Sequence, residues 1–317
     1  MIVSIEAFNY KHFKEHNIID FRVPKKMINI FNSYYKKSYC YENILLKNNK
    51  KLMLNKTIAL LGANASGKST LLDIFNILYK LRDLYNEIFY NSLGTKKKAL
   101  YNLQLYIHNK IFNNNEKSFI KIKYIFNNNL KTLKINKNFK NIDALKEFVS
   151  ISKDFKKYTF SQNEKEYFNY LIERFNLSHN KIFAMKLERI FRAFFQGGLV
   201  LVDDEFNGLH EHILIEVLEL FQDPAVNKKN AQLIFITYHP IILNELKKHQ
   251  VYIVEKDKHT KNSICYRLDS IKGLNKNDNL YSKYYIGKLG GVPELWKIKG
   301  LKNENNIIYI NNKFFFI

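Results

Sequence analysis

Disulfides and thiolate metal centres have almost nothing to work with in this sequence. Its 317 residues include two cysteines, Cys40 and Cys265, far apart and without metal-ligand spacing to the histidines. Neither a disulfide framework nor a zinc site is indicated, which suits a reducing, cytoplasmic compartment. Proline is scarce too, with 4 residues, and glycine numbers 11. So little hinge material favours one module with an inserted lobe over independent beads on a string. No run of about 18 apolar residues occurs, so no membrane span is expected, and Met1 to Glu6 lack the basic and apolar segments of a secretory leader. Internal repeats and sustained heptads are also missing.

Acidic residues are the other shortage. Asp plus Glu total 29 against 51 Lys plus Arg, a formal charge of +22, which attracts phosphate polymers. Between Gly94 and Lys140 eleven lysines, among them Lys96, Lys97 and Lys98, face one acid, Glu116, a local +10. Two readings stand: a nucleic-acid surface, or lysines that guard a strand's solvent face against edge pairing. What is plentiful is apolar: 46% of residues are hydrophobic and 15% aromatic, enough for a sizeable core.

One stretch organises the rest. The apolar run Thr57 to Leu61 leads into Gly62-Ala63-Asn64-Ala65-Ser66-Gly67-Lys68-Ser69, and Thr70 to Leu78 continues with helical spacing. Strand, glycine-bearing loop, helix is the context of a P-loop, whose backbone N–H groups and helix N-terminus cradle phosphates. Gly62, Asn64, Ala65, Ser66, Gly67 and Thr70 form the cradle. Lys68 reaches the β and γ phosphates, and the Ser69 hydroxyl is a Mg²⁺ ligand.

Around it, residues 2–8 and 18–23 read as two strands that pair, and a short helix is expected near Lys26 to Tyr35. A polar connection then reaches the P-loop strand. Helices are expected from Ser69 to about Asn86 and from Leu100 to Phe112. Phe119 to Phe126 and the return through Leu133 and Ile135 form a hairpin around Asn127 to Asn129. Residues 141–195 read as helices. From Gly197 apolar strands alternate with helices, at Leu199 to Val202, Ala231 to Ile236 and Val251 to Glu255, which argues a mostly parallel sheet covered on both faces. The expected domains are 1–75 with 196–295, an α/β lobe with an antiparallel β portion; 76–195, an inserted, basic, largely helical lobe with a hairpin; and a tail, 296–317.

Hydrolysis needs a metal-orienting carboxylate and a group that positions water. Leu199 to Val202 end in Asp203-Asp204-Glu205, the form of a Walker B. Asp203 takes the Mg²⁺ role, and either Asp204 or Glu205 positions the water. His239, after the next strand in Thr237-Tyr238-His239-Pro240, stands where a side chain can report on the γ phosphate.

These motifs, together with Asn207-Gly208-Leu209-His210 and Gly287-Lys288-Leu289-Gly290-Gly291-Val292-Pro293, resemble the ABC-type ATPases of the OLD-like and RecF/SMC-like group. The likeness spans about residues 1 to 295 and is greatest to stand-alone bacterial AAA-type members of phage-defence systems, such as abortive-infection and retron-associated ATPases. It implies a P-loop NTPase fold, ATP and Mg²⁺ as cofactors, an ATP-dependent homodimer, and regulation of a separate effector, a nuclease or toxin. In such ATPases a signature serine with adjacent glycines closes over the partner's ATP; the matching residue is Ser178, followed by His179 and Asn180 instead of glycines. Asp204 also stands where the family usually has Glu, which implies slow turnover. Other classes compatible with the motifs are a repair ATPase that binds duplex DNA, a transporter's ATP-binding subunit, and a scaffold that binds ATP without hydrolysing it.

Overall fold

The computed structural model describes residues 1–24, 41–90, 101, 104–107, 117–136, 138–139, 141–151, 159–177, 181–203, 206, 208–275, 278–292, 309–310 and 313–314. In chain order the strands and helices are β1 Ile2–Phe8, β2 Asn17–Asp20, β3 Tyr41–Leu45, β4 Lys51–Asn55, β5 Thr57–Leu61, α1 Lys68–Tyr90, β6 Phe119–Phe126, β7 Asn129–Asn136, α2 Ile142–Ile151 and α3 Gln162–Arg174. They continue with α4 Lys181–Gln196, β8 Leu199–Val202, α5 Glu211–Gln222, β9 Gln232–Ile236, the single turn α6 Ile242–Glu245, β10 Val251–Lys256, β11 Ser263–Arg267, α7 Leu280–Tyr285, β12 Tyr309–Ile310 and β13 Lys313–Phe314. The chain is thus mixed α/β. The residues of the expected Lys26–Tyr35 helix and of Lys96 to Lys98 lie outside those described, as do most of Leu100 to Phe112; 101 and 104–107 are helical.

The central sheet has the order β11-β10-β5-β9-β8. β10, β5, β9 and β8 run parallel, and β11 adds an antiparallel edge. Its strands are continuous apolar runs because both faces are covered, and the period of two sorts their residues. Ile58, Leu60, Ile234, Ile236, Tyr252 and Val254 join one apolar cluster. Ala59, Leu61, Leu233, Phe235, Val251 and Ile253 join the other. The second cluster is closed by α3, α4 and α5, with Leu214, Val217, Leu218 and Phe221 of α5 at helical spacing and an edge-on contact between Phe194 and Phe221, 4.7 Å between ring centres.

The first cluster is closed by α1 and an antiparallel sheet of order β2-β1-β6-β7. The hairpin read as part of the 76–195 insertion therefore shares a sheet with the first strand, Ile5 opposite Ile122, and the 75/76 boundary falls inside α1. A second hairpin, β3–β4, stands where a polar connection was expected. Its alternation is disguised by Lys50, Lys51 and Asn48 at the turn, while Met53 and Leu54 go inside. After β9 the helix that the strand–helix alternation leads one to expect before β10 is only the one turn of α6, followed by a 3-10 turn at Lys248–Gln250.

Buried side-chain amides knit these layers. Gln232 on β9 accepts from the Ile2 N–H (2.7 Å) and donates to the Ile2 carbonyl (2.9 Å), docking β1 beside the central sheet. Gln250 donates to the Thr57 hydroxyl at 2.7 Å. Such pairs satisfy backbone groups that burial would otherwise leave costly.

Candidate functional site

Four parallel strands place their carboxyl ends on one edge, and those of the expected residues that are described collect there. β5 ends at Leu61 and the chain turns through Gly62 to Gly67 into α1. The first bond of the helical ladder runs from Leu71 N–H to the Gly67 carbonyl (3.1 Å), so the N–H groups of Lys68, Ser69 and Thr70 stand ahead of it at the positive end of the helix. Asn64 and Ala65 form the exposed tip, Ala65 at φ 59°. Gly62 is dictated by crowding: a Cβ there would lie 2.0 Å from the Val254 carbonyl oxygen of β10.

Lys68 is an ammonium in a nearly closed setting, 4% exposed. Its Nζ donates to the carbonyls of Gly62 and Ala63, each at 2.7 Å, and sits 4.5 Å from the centre of the Tyr238 ring. Two carbonyl dipoles and an aromatic face thus hold the charge where water is excluded. Ser66 is 3% exposed and its hydroxyl has no hydrogen-bond partner among the described residues.

Ser69 donates to the Asp203 carboxylate, Oγ to Oδ1 3.2 Å, across 134 residues of sequence. Asp203 follows β8, and both side chains are exposed at the edge. One turn along the edge, Thr237 caps the end of β9 by accepting from the His239 N–H (3.1 Å). His239 Nδ1 lies 3.6 Å from the Glu211 carboxylate at the start of α5, and its Nε2 is buried with no hydrogen-bond partner among the described residues. Asp204, Glu205 and Ser178 lie outside the described residues.

A cleft of about 750 Å³ opens beside the loop, lined by Gly62, Ala63, Asn64 and Ser66, by Tyr238, by Lys256 at the end of β10 with Asp257, Lys258 and Lys261 after it, and by Tyr284 and Gly291. Glu255 organises this wall, and sequence reasoning had given it no role. Its carboxylate accepts from the Gly291 N–H (2.8 Å) and the Tyr266 hydroxyl (3.1 Å). That hydroxyl reaches the Leu289 carbonyl at 3.0 Å. Burial, then the Glu255 charge, pushes the Tyr266 phenol above its ordinary value, so it stays a donor. The Gly287 to Val292 turn is thereby held against the loop; a Cβ on Gly291 would come within 3.3 Å of Gly62 Cα. The one available signal was that Glu255 is the first charged residue in an otherwise apolar strand.

Among the described residues, no three His, Cys, Asp or Glu side chains group to hold a metal, and no helix is long and apolar enough to cross a membrane. A scan of protein-family models finds no match to the chain, and no curated protein matches it.

Proposed function

We propose that this chain is a P-loop ATPase of the ABC type that binds ATP with Mg²⁺ at the carboxyl edge of the central sheet and hydrolyses it. The observation that carries the reading is the Ser69 to Asp203 pair at 3.2 Å. It unites a hydroxyl at the head of α1 with a carboxylate from a strand two places away in the sheet. One hydroxyl and one carboxylate suit Mg²⁺, which keeps waters and takes its remaining ligands from phosphates, so the lack of a three-acid cluster is no objection. Bound there, Mg²⁺ would draw phosphate oxygens together and neutralise their charge.

The protein's own groups divide the remaining work. Loop amides and the α1 terminus hold phosphate oxygens, and Lys68 adds a desolvated positive charge. His239, its Nδ1 3.6 Å from the Glu211 carboxylate, supplies the imidazole at this edge that orients water or reads the terminal phosphate. Asp204 and Glu205 remain the candidates for water activation, and Ser178 for closure by a second copy in an ATP-dependent homodimer. Regulation of a separate effector, nuclease or toxin, in an antiphage complex rests on the resemblance.

Calorimetric titration with ATP and Mg²⁺ tests the core of the reading. Wild type binds, and Lys68→Ala weakens binding by at least about tenfold, the loss of one charge-assisted contact. Equal binding by the variant would sink it, and a phosphate-release assay separates an ATPase from an ATP-holding scaffold.

A further inference from the structure

The antiparallel sheet has a second face that the nucleotide edge does not use. Its inner face carries Val3, Ile5, Ala7, Ile120, Ile122 and Leu133 into the core. By the period of two, the residues between them point outward. Register aligns these in rows: Phe8 opposite Phe119, Glu6 opposite Lys121 and that in turn opposite Lys134, and Ser4 opposite Lys123.

The first row is aromatic. The Phe8 and Phe119 rings stack with centres 5.7 Å apart, and His16, its side chain 56% exposed, extends the row 4.6 Å from Phe8. Beside it the row of lysines begins, with Lys134 Nζ 4.6 Å from the Phe119 ring centre. Among the described residues two acids lie on this face and both are paired: Glu6 with Lys121 and His16 at 2.9 and 3.0 Å, and Asp20, opposite Ser4, with Arg22 at 2.6 Å, so their charge is matched and the net sign of the surface stays positive.

We infer that this face binds single-stranded nucleic acid, bases stacking on Phe8 and Phe119 and the backbone meeting Lys123 and Lys134. Rings interleaved with lysines on an open sheet suit a partner that offers both planar faces and phosphates. A duplex keeps its base faces inside the stack, and an acidic protein has no use for adjacent half-exposed rings. The +22 charge of the chain supplies the long-range attraction. The lysines of the hairpin thus gain a role beyond guarding the edge strand β7.

Fluorescence anisotropy of the full chain with a labelled oligothymidine of about 20 nucleotides tests this. Wild type should bind at about 50 mM salt and weaken as salt rises. Phe8→Leu and Phe119→Leu keep apolar volume but remove a ring, and each should weaken binding about tenfold. Phe119→Tyr keeps the ring and should stay within about twofold, which separates lost stacking from lost folding. Lys134→Gln should lower the salt slope by about 0.7. No binding by wild type, unchanged binding by both leucine variants, or a duplex of the same length binding at least as tightly would overturn the proposal. Lys68→Ala should leave it intact, so its failure is distinct from failure of the nucleotide site.

Discussion

The two sheets treat their surfaces in opposite ways. The central sheet hides both faces, with every residue of β5 and β9 buried, so chemistry can only emerge where its strands end. The antiparallel sheet hides one face and leaves Glu6, Phe8, Phe119, Lys121, Lys123 and Lys134 of the other at least partly exposed, with Ser4 buried at one end. A parallel sheet concentrates polar groups at an edge, and a one-sided sheet spreads them over a plane. A compact ligand suits the first and an extended polymer the second.

Substitutions at the edge should be costly. Gly62→Ala puts a Cβ 2.0 Å from a buried carbonyl oxygen, and we expect urea unfolding to show a loss of more than about 3 kcal/mol, with nucleotide binding abolished. A loss under about 1 kcal/mol would mean that the loop and β10 are not in rigid register.

Acid should weaken the same sheet through His249, just before β10. It is 1% exposed, and neither ring nitrogen is hydrogen-bonded among the described residues. Burial, then the nearby Arg267 charge, lowers it from 6.5 to about 4. The unfolded chain therefore takes up this proton below about pH 6.5 while the folded chain resists it until about pH 4. Stability is fully present above the higher value and falls by about 3 kcal/mol across the window. His249→Met should flatten that part of the acid limb in unfolding curves; an unaltered limb would exclude His249 as its source.

A smaller effect belongs to the clamp. Tyr266→Phe removes the hydroxyl between Glu255 and Leu289 and should cost about 1 kcal/mol, loosening the Gly287 to Val292 turn in hydrogen exchange. Smallest is Lys131→Gln on the hairpin, which breaks a 3.5 Å pair with Glu147 that is 41% and 35% exposed. Stability should move by less than about 0.5 kcal/mol. A change there as large as at Gly62 would erase the contrast between the two sheets.

Much of this was legible from local pattern. The apolar runs that became β5, β9 and β10, the helices of residues 141–195 and the loop entering α1 all follow from periodicity and glycine placement. The β3–β4 hairpin escaped because its turn lysines and asparagines mask the alternation. β11 escaped too: an edge strand with only Ser263 fully buried has little pattern to show. The Glu255 clamp was invisible because its partners, Tyr266 and Gly291, are chosen by packing. Lys121 looked like part of a uniform basic run until register set it against Glu6.

By itself the sequence determined the short-range facts: most of the strands and helices, that the chain carries a large positive charge, and that a glycine-bearing loop joins a buried strand to a helix. Those depend on neighbours a few residues away. Tertiary structure alone decided that Ser69 meets Asp203 and that the ring of Tyr238 lies over Lys68. It also decided that Phe8 and Phe119 stand side by side. Each is a meeting of residues far apart in the chain, set by strand order and register, for which local sequence carries no energy term.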